Sequence, residues 1–154
     1  MPLGSDLRAV ARLKALGKGR RASRTYARAK SLLDAVFSRW TRLRFADGAG
    51  NVACVCCGAV RHWKLQQAGH YVKRSHLATR WEPENVAVCC YRCNVLMSGN
   101  YPAYTVWGVD RYGMDWPARM VALSKTSVKY SRSDLEQMIL DYEKKVEELT
   151  TSPC

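Results

Sequence analysis

The sequence of 154 residues lacks any long hydrophobic run: a quarter of its residues are charged, and no apolar stretch approaches the roughly 18 residues that cross a bilayer. A transmembrane helix is therefore excluded. Met1 is followed by a basic amphipathic stretch instead of an apolar core of about 7–15 residues, so we do not expect a secretory signal peptide. Internal repeats and low-complexity tracts are also lacking. The length suits one ordinary domain, or a compact module with a helical extension.

Acidic residues are scarce at the N-terminal end of the chain. Residues 1–44 contain twelve Lys and Arg but only two acidic residues, Asp6 and Asp34, whereas the remainder is nearly balanced. Such one-sided charge is typical of proteins that bind a polyanion, because each neutralised phosphate releases condensed counterions. The alternative is a solvated basic face that only aids solubility. Gly17 and Gly19 interrupt the basic run, which predicts a flexible basic arm over residues 1–22.

Two amphipathic helices are predicted towards the ends of the chain. Over residues 23–45, apolar side chains recur at spacings of three and four, while several arginines fall elsewhere on the helix. Ser133 and Glu136 have the spacing of a capping box, and the apolar residues that follow them continue at helical spacing. This pattern predicts a C-terminal helix over residues 131–150.

The region 101–130 is rich in aromatic residues and is punctuated by glycine and proline, which predicts short helices and turns. We favour packing of these aromatic side chains against the C-terminal helix. The alternative is a stacking surface for unpaired bases, with Tyr101 and Tyr104 as candidate DNA contacts.

Six of the seven cysteines lie in two tight clusters, which favours metal binding over disulfides in a reducing compartment. One pair in each cluster has knuckle spacing: Cys54 with Cys57, and Cys90 with Cys93. Four thiolates can close a tetrahedral zinc site without an open coordination position, so we predict a structural zinc ion. Cys56 and Cys89 have the wrong offset and are interpreted as spare thiols. A redox-active C-x-x-C is the rival interpretation.

Several short motifs lie at and between these cysteines. In chain order they are Cys54-x-x-Cys57, Gly69-His70, Arg80-Trp81-Glu82-Pro83-Glu84-Asn85, Cys90-x-x-Cys93-Asn94 and Ser98-Gly99-Asn100. With them, the chain from about residue 32 to residue 149 resembles the NinG/Rap recombination nucleases of lambdoid phages. It is more broadly similar to zinc-knuckle HNH nucleases of the ββα-metal class, which include endonuclease VII. The resemblance implies an α+β fold whose core, residues 46–100, is a small zinc-stapled, treble-clef-like ββα-metal unit with N- and C-terminal helices.

The resemblance also implies a catalytic mechanism. His70 matches the general base that deprotonates water for attack on a phosphodiester. A single divalent ion, magnesium or manganese, would polarise the phosphate and stabilise the leaving 3′-oxygen. Asn94 matches a ligand of that ion, and an amide oxygen is a reasonable hard ligand. Asn85 matches the middle Asn of the HNH pattern, which holds the loop so that the histidine points correctly.

One position departs from the common HNH pattern. Those enzymes often carry an acidic metal ligand immediately before the base, and here Gly69 occupies that position. NinG-like proteins share this Gly-His pair, but the second metal ligand is left unassigned. Glu82 is our first candidate for it, and His76 and Glu84 are weaker ones. The alternative for the two glutamates is a solvated turn around Pro83.

The implied substrates are branched recombination intermediates, such as Holliday junctions and D-loops, in the cytoplasm of a bacterial host cell that carries a phage or prophage. A junction offers two equivalent strands, so a C2 homodimer is the natural geometry, with the 23–45 and C-terminal helices as its expected interface. Six basic residues are expected to contact the DNA: Arg20, Arg21, Arg24, Arg28, Lys73 and Arg74. The alternatives are a non-catalytic zinc module that binds nucleic acid, which Gly69 favours, and a sequence-specific HNH nuclease of the homing or restriction kind.

Overall fold

A computed structural model describes residues 25–151 of the chain. These residues form a mixed α+β structure, with five α-helices and four short strands. In chain order the elements are α1 (Tyr26–Leu43), β1 (Asn51–Ala53), β2 (Val60–His62), a 3₁₀ turn (Trp63–Leu65), β3 (Gln67–His70), α2 (Leu77–Arg80), β4 (Val86–Cys89), a π-helical turn (Arg92–Leu96), α3 (Tyr101–Tyr112), α4 (Trp116–Ser124) and α5 (Arg132–Thr151). The basic arm predicted over residues 1–22 lies outside the described residues.

The first and last helices pack against each other and form one of two hydrophobic cores. Helix α1 begins after Thr25, whose side chain accepts a hydrogen bond from the Arg28 amide, and it lies within the predicted 23–45 segment. Phe37 of α1 meets Tyr142 of α5 edge to face, with ring centroids 4.9 Å apart. The apolar stripes of both helices are therefore buried against each other within a single chain.

The cap of helix α5 differs from the prediction. Ser131 and Asp134 form the capping box: the Ser131 amide donates to the Asp134 carboxylate at 2.7 Å, and the Asp134 amide donates to the Ser131 hydroxyl at 3.1 Å. The helix therefore begins at Arg132, so Ser133 and Glu136 lie inside it. Two overlapping Ser-x-x-acid patterns occur here, and the first leaves Leu135 and Ile139 facing the core.

The second core surrounds the cysteines and contains the aromatic side chains of α3 and α4. Pro102 and Pro117 stand in the first turns of these two helices, and Gly113 ends α3 with φ of 97°. Gly108 does not interrupt the helix, contrary to its interpretation as punctuation. A Cβ on Gly108 would lie 2.0 Å from the Trp116 ring, so glycine is needed for that fully buried indole to pack.

The aromatic residues pack, but not against the C-terminal helix as predicted. Tyr104 and Trp116 belong to the same buried cluster as Cys54, Cys89 and Cys90, whereas helix α5 belongs to the other core. Tyr104 is almost completely buried, and its hydroxyl donates to the Gly69 carbonyl at 3.0 Å. It is therefore a support behind strand β3 and not a DNA contact.

Two antiparallel hairpins form the small sheets. Strand β1 pairs with β2, and β3 pairs with β4, with Gly69 opposite Ala87 and His70 opposite Val86. The segment around Cys93 is a single π-helical turn, Arg92–Leu96, and residues 98–100 all have positive φ. Within residues 25–151, no helix is long and apolar enough to cross a membrane.

Candidate functional site

Four cysteine sulfurs converge at the junction of the two hairpins. The sulfur atoms of Cys54, Cys57, Cys90 and Cys93 all lie within 4.8 Å of one another. The two C-x-x-C turns thus bring together four ligands of the kind and number that a structural zinc site uses. These residues could bind a zinc ion, as the spacing predicted.

The two remaining cysteines of this region lie beside the cluster. The sulfur of Cys56 lies 3.9 Å from that of Cys89. Hydrogen bonds from Cys56 and then Cys89 hold the pKa of Cys54 well below its usual range, whereas their interaction with Cys54 raises the pKa of both partners. A metal binds the thiolate form of cysteine, and the lowered pKa of Cys54 favours that form.

A cleft of about 390 Å³ opens beside strand β3 and helix α1. Its lining includes two of the predicted catalytic residues and two of the predicted DNA contacts: His70, Asn94, Lys73 and Arg74. Asp34, Arg80, Ser98 and Gly99 also line it. The fold thus brings the predicted base and a predicted ion ligand into one cleft with basic side chains at its edge.

The tautomer of His70 follows from its hydrogen bond. The Nε2 atom of His70 lies 3.0 Å from the backbone carbonyl oxygen of Arg80. A carbonyl oxygen can only accept, so Nε2 carries the proton and Nδ1 carries the lone pair. Burial lowers the pKa of His70 below its ordinary value of 6.5, and the hydrogen bond to Arg80 only opposes this shift. The imidazole is therefore neutral near pH 7.

Asn85 lies fully buried and closes the loop between β3 and β4. Its Nδ2 atom donates to the carbonyl oxygens of Val72 and Thr79, and its Oδ1 atom accepts from the Val72 amide at 2.7 Å. These bonds join both ends of the segment that carries Arg80. Asn85 thus holds the loop, the role that the resemblance implied for it.

Asn94 stands on the π-helical turn directly behind Gly69. Its Nδ2 atom donates to Oε1 of Gln67 at 2.7 Å. A Cβ on Gly69 would lie 3.1 Å from Asn94 Oδ1 and only 2.6 Å from the Cys89 sulfur. No larger residue fits at position 69 without displacing Cys89, which gives the absence of an acid before His70 a steric reason.

Asp34 is a residue of this site that the sequence analysis missed. Its carboxylate accepts hydrogen bonds from Nε and Nη2 of Arg80 and from Nε1 of Trp81. It is one of only two acids in residues 1–44. The scarcity of acidic residues around Asp34 was the one feature of the sequence that could have singled it out. Its partners lie about 46 residues away along the chain, so local sequence patterns do not identify them.

The structure does not bring Glu82 to the cleft. Its carboxylate accepts a hydrogen bond from the Glu84 amide. Burial raises the pKa values of Tyr130 and Tyr142, and the charge of Glu82 adds to both shifts. Glu84 forms an ion pair with Arg119 at 3.2 Å. His76 is exposed ahead of helix α2. The three candidates for the second ion ligand are thus dispersed.

The predicted DNA contacts fall into two groups. Lys73 and Arg74 are exposed at the edge of the cleft, and Arg28 is exposed on helix α1. Arg20, Arg21 and Arg24 lie outside the described residues.

Comparison with known families gives one assignment for this chain: the family model described as "Bacteriophage Lambda NinG protein" matches residues 11–152. That range includes both cysteine pairs, the cleft and all five helices. No curated protein and no solved structure matches the chain.

Proposed function

The chain belongs to the family of the bacteriophage lambda NinG protein, and from this membership and the cleft geometry we propose that it is a metal-dependent DNA endonuclease acting on branched recombination intermediates. The observation that carries the proposal is the hydrogen bond between His70 and the Arg80 carbonyl. It leaves a neutral imidazole with a free lone pair on Nδ1, and His70 lines the same cleft as Asn94, with basic side chains at the cleft edge.

The surrounding secondary structure supports the same proposal. Strands β3 and β4 form an antiparallel pair, and the helical turn after β4 carries Asn94 back towards Gly69. An antiparallel strand pair followed by a helical turn is the order that a ββα-metal site requires, so this observation supports the proposal. The cysteine cluster holds the turn, because Cys93 lies one residue before Asn94.

In the proposed reaction, His70 Nδ1 takes a proton from a water molecule as that water attacks phosphorus. The bond from phosphorus to the 3′-oxygen breaks, and the 3′-hydroxyl leaves with a proton from solvent. The Arg80 carbonyl keeps Nε2 protonated and stabilises the imidazolium that forms. Lys73 and Arg74 hold the flanking phosphates.

The donors at the cleft fit a divalent ion that binds together with DNA. Asn94 offers an amide oxygen, whereas the His70 Nδ1 lone pair is needed for the proton of the attacking water and the Asp34 carboxylate is already engaged by Arg80 and Trp81. Phosphate oxygens and water would complete the set around Mg²⁺, which keeps several waters in many phosphate sites. The ion would supply positive charge against the developing charge on the phosphate and leaving oxygen.

A second candidate function, a zinc module that binds DNA without cutting it, is favoured by one observation: among residues 25–151, the acid that lines the cleft is Asp34, and its charge is neutralised by Arg80. The two candidates differ in what His70 does. In a nuclease its loss abolishes cleavage, whereas in a binding module it leaves function unchanged.

The test compares wild type with His70→Ala and with His76→Ala, which removes an exposed histidine ahead of α2. A labelled four-way junction and a linear duplex of the same sequence are incubated with Mg²⁺ or Mn²⁺. We expect wild type and His76→Ala to cut the junction selectively, and His70→Ala to bind it but lose at least about a hundredfold in rate. Tight binding by wild type without cleavage of either DNA would establish the binding module instead. Equal cleavage of both substrates would indicate a nuclease without branch specificity.

A further inference from the structure

Three consecutive apolar residues project into solvent beside the cleft. Val95 and Met97 are each 45% exposed, and Leu96 is 68% exposed. We name residues 95–97 the apolar loop. Runs of exposed apolar residues are uncommon on a protein surface and mark sites that contact another molecule.

The backbone holds the apolar loop in place. The Met97 amide donates to the Arg92 carbonyl at 2.8 Å, and the Gly99 amide donates to the Cys93 carbonyl at 2.9 Å. Ser98, Gly99 and Asn100 all have positive φ, at 50°, 99° and 44°, and the Asn100 side chain donates to the Cys93 sulfur. The loop is therefore tied to a member of the cysteine cluster and cannot fold back easily onto the surface.

The loop borders the proposed active site directly. Asn94 precedes it and Ser98 and Gly99 follow it, and all three line the same cleft as His70. Residues 95–97 do not themselves line the cleft, but the chain places them between Asn94 and Ser98, so the apolar loop stands at the margin of the cleft.

The charge around the apolar loop favours DNA over a second copy of the chain as its binding partner. The segments 71–81 and 91–109 include Lys73, Arg74 and Arg92, and neither contains an acidic residue. A second copy of the chain placed here about a two-fold axis would set these like charges against one another. DNA instead offers phosphates to the basic residues and flat apolar bases to the loop.

On the premise of the proposed function, we propose that Leu96 and Met97 form a wedge that inserts between bases at the branch point of bound DNA. Apolar side chains that enter a base step unstack it. Bases at a branch are stacked less completely than those inside a duplex, so insertion there costs less than in a linear duplex. The wedge would thus give the protein its preference for branched DNA, while the basic residues give affinity without regard to structure.

The experiment measures base unstacking without cleavage. The full-length protein is mixed, in buffer without added divalent ions, with a four-way junction that carries 2-aminopurine at the branch point or within one arm. The fluorescence of this base analogue rises when it is unstacked. The variants are Leu96→Ala/Met97→Ala and, as a control, Leu65→Ala, which truncates a 67% exposed leucine on the 3₁₀ turn. Thermal unfolding is used to check that wild type and both variants are folded.

We expect wild type and Leu65→Ala to raise the fluorescence at the branch but not within the arm. The double variant should bind the junction within about threefold of wild type, because phosphate contacts dominate affinity. It should lose the fluorescence rise and at least about tenfold of the preference for junction over duplex. A double variant that keeps both properties, or a wild type that binds without unstacking the branch, would overturn the wedge.

Sedimentation velocity without DNA tests whether the apolar loop instead binds a second copy of the chain. A wild type that forms dimers which the double variant cannot form would identify the apolar loop as a subunit interface and overturn the wedge. Failure of the proposed nuclease function gives a different result from failure of the wedge. A protein that opens the branch but never cuts it in Mg²⁺ or Mn²⁺ refutes the nuclease and retains the wedge, and a protein that binds neither DNA refutes both.

Discussion

Asp34 and Arg80 form a two-point ion pair that joins helix α1 to the last residue of helix α2. The same arginine residue accepts the hydrogen bond from His70 through its backbone carbonyl. The orientation of the proposed base is therefore fixed by a residue on a different element, through one intermediate residue. Asp34 acts here as a positioning residue, since its carboxylate is saturated by Arg80 and Trp81.

Replacing Asp34 by Ala should destabilise the fold and disturb His70. Loss of one partner leaves the largely buried Arg80 guanidinium without its counter-ion, which costs about 3 kcal/mol in the free energy of unfolding. The matched control is Asp110→Ala, an exposed carboxylate on α3. Denaturant unfolding gives the stability, and the ¹⁵N chemical shifts of His70 report its tautomer. An unchanged tautomer in folded Asp34→Ala would refute the positioning role.

Loss of the cysteine cluster should affect stability far more than loss of a neighbouring thiol. Cys57→Ser removes a member of the cluster at an exposed position, where little packing is lost, whereas Cys56→Ser changes the adjacent cysteine outside the cluster. Metal analysis should find one zinc per chain in wild type and Cys56→Ser, and much less in Cys57→Ser.

The same pair of variants also separates metal binding from thiol chemistry. Because zinc binding free energy becomes folding free energy, Cys57→Ser should unfold at a clearly lower temperature, as should wild type treated with a strong chelator. Equal loss of zinc from both variants would contradict the assignment of the four ligands.

Gly69→Ala should destabilise the protein through one identifiable clash. The added methyl group would lie 2.6 Å from the Cys89 sulfur, and overpacking of this kind costs about 2 kcal/mol. Truncation of that sulfur in Cys89→Ala makes room for the methyl group. The double variant should therefore be more stable than the sum of the two single effects allows.

A double-mutant cycle by chemical denaturation measures this coupling. Gly108→Ala, which places its methyl group against the Trp116 ring and not against the Cys89 sulfur, is a control, because it should not be rescued by Cys89→Ala. Additive effects of Gly69→Ala and Cys89→Ala would show that the clash is relieved in some other way.

The activity should persist below the pH at which an ordinary histidine becomes protonated. Burial lowers the pKa of His70 below 6.5, and the base acts only when neutral. The acidic limb of the cleavage profile should therefore fall at a pH below 6.5, with activity lost as the pH drops through the lowered value.

The free energy of unfolding should also decrease as the pH falls. The unfolded chain binds the proton at His70 more readily than the folded chain does, so this residue contributes a loss of stability as the pH falls below about 6.5. Comparing unfolding of wild type and His70→Gln across this range isolates the contribution. If the acidic limb of the cleavage profile fell above pH 6.5, the assignment of His70 as a buried, neutral base would be contradicted.

The sequence by itself determined the features that depend on local spacing. Two C-x-x-C pairs predicted the four-sulfur cluster, because a tight turn directs both thiols of a pair to one side. Periodicity predicted the long helices α1 and α5, since a repeat near 3.6 residues produces one apolar face. The motifs predicted that His70 and Asn94 lie near each other, and both line the cleft.

Only the tertiary structure decided the contacts between distant segments. The Asp34–Arg80 pair, the burial of Tyr104 behind β3, and the place of Glu82 away from the cleft depend on how α1 and the aromatic helices pack. In the sequence Gly69 stands where an acidic ligand is common and Gly108 is one of several glycines between aromatic residues. In the structure each is required, because Cys89 or Trp116 occupies the space of a side chain. Such steric requirements come from neighbours remote in the chain, and a local pattern carries no record of them.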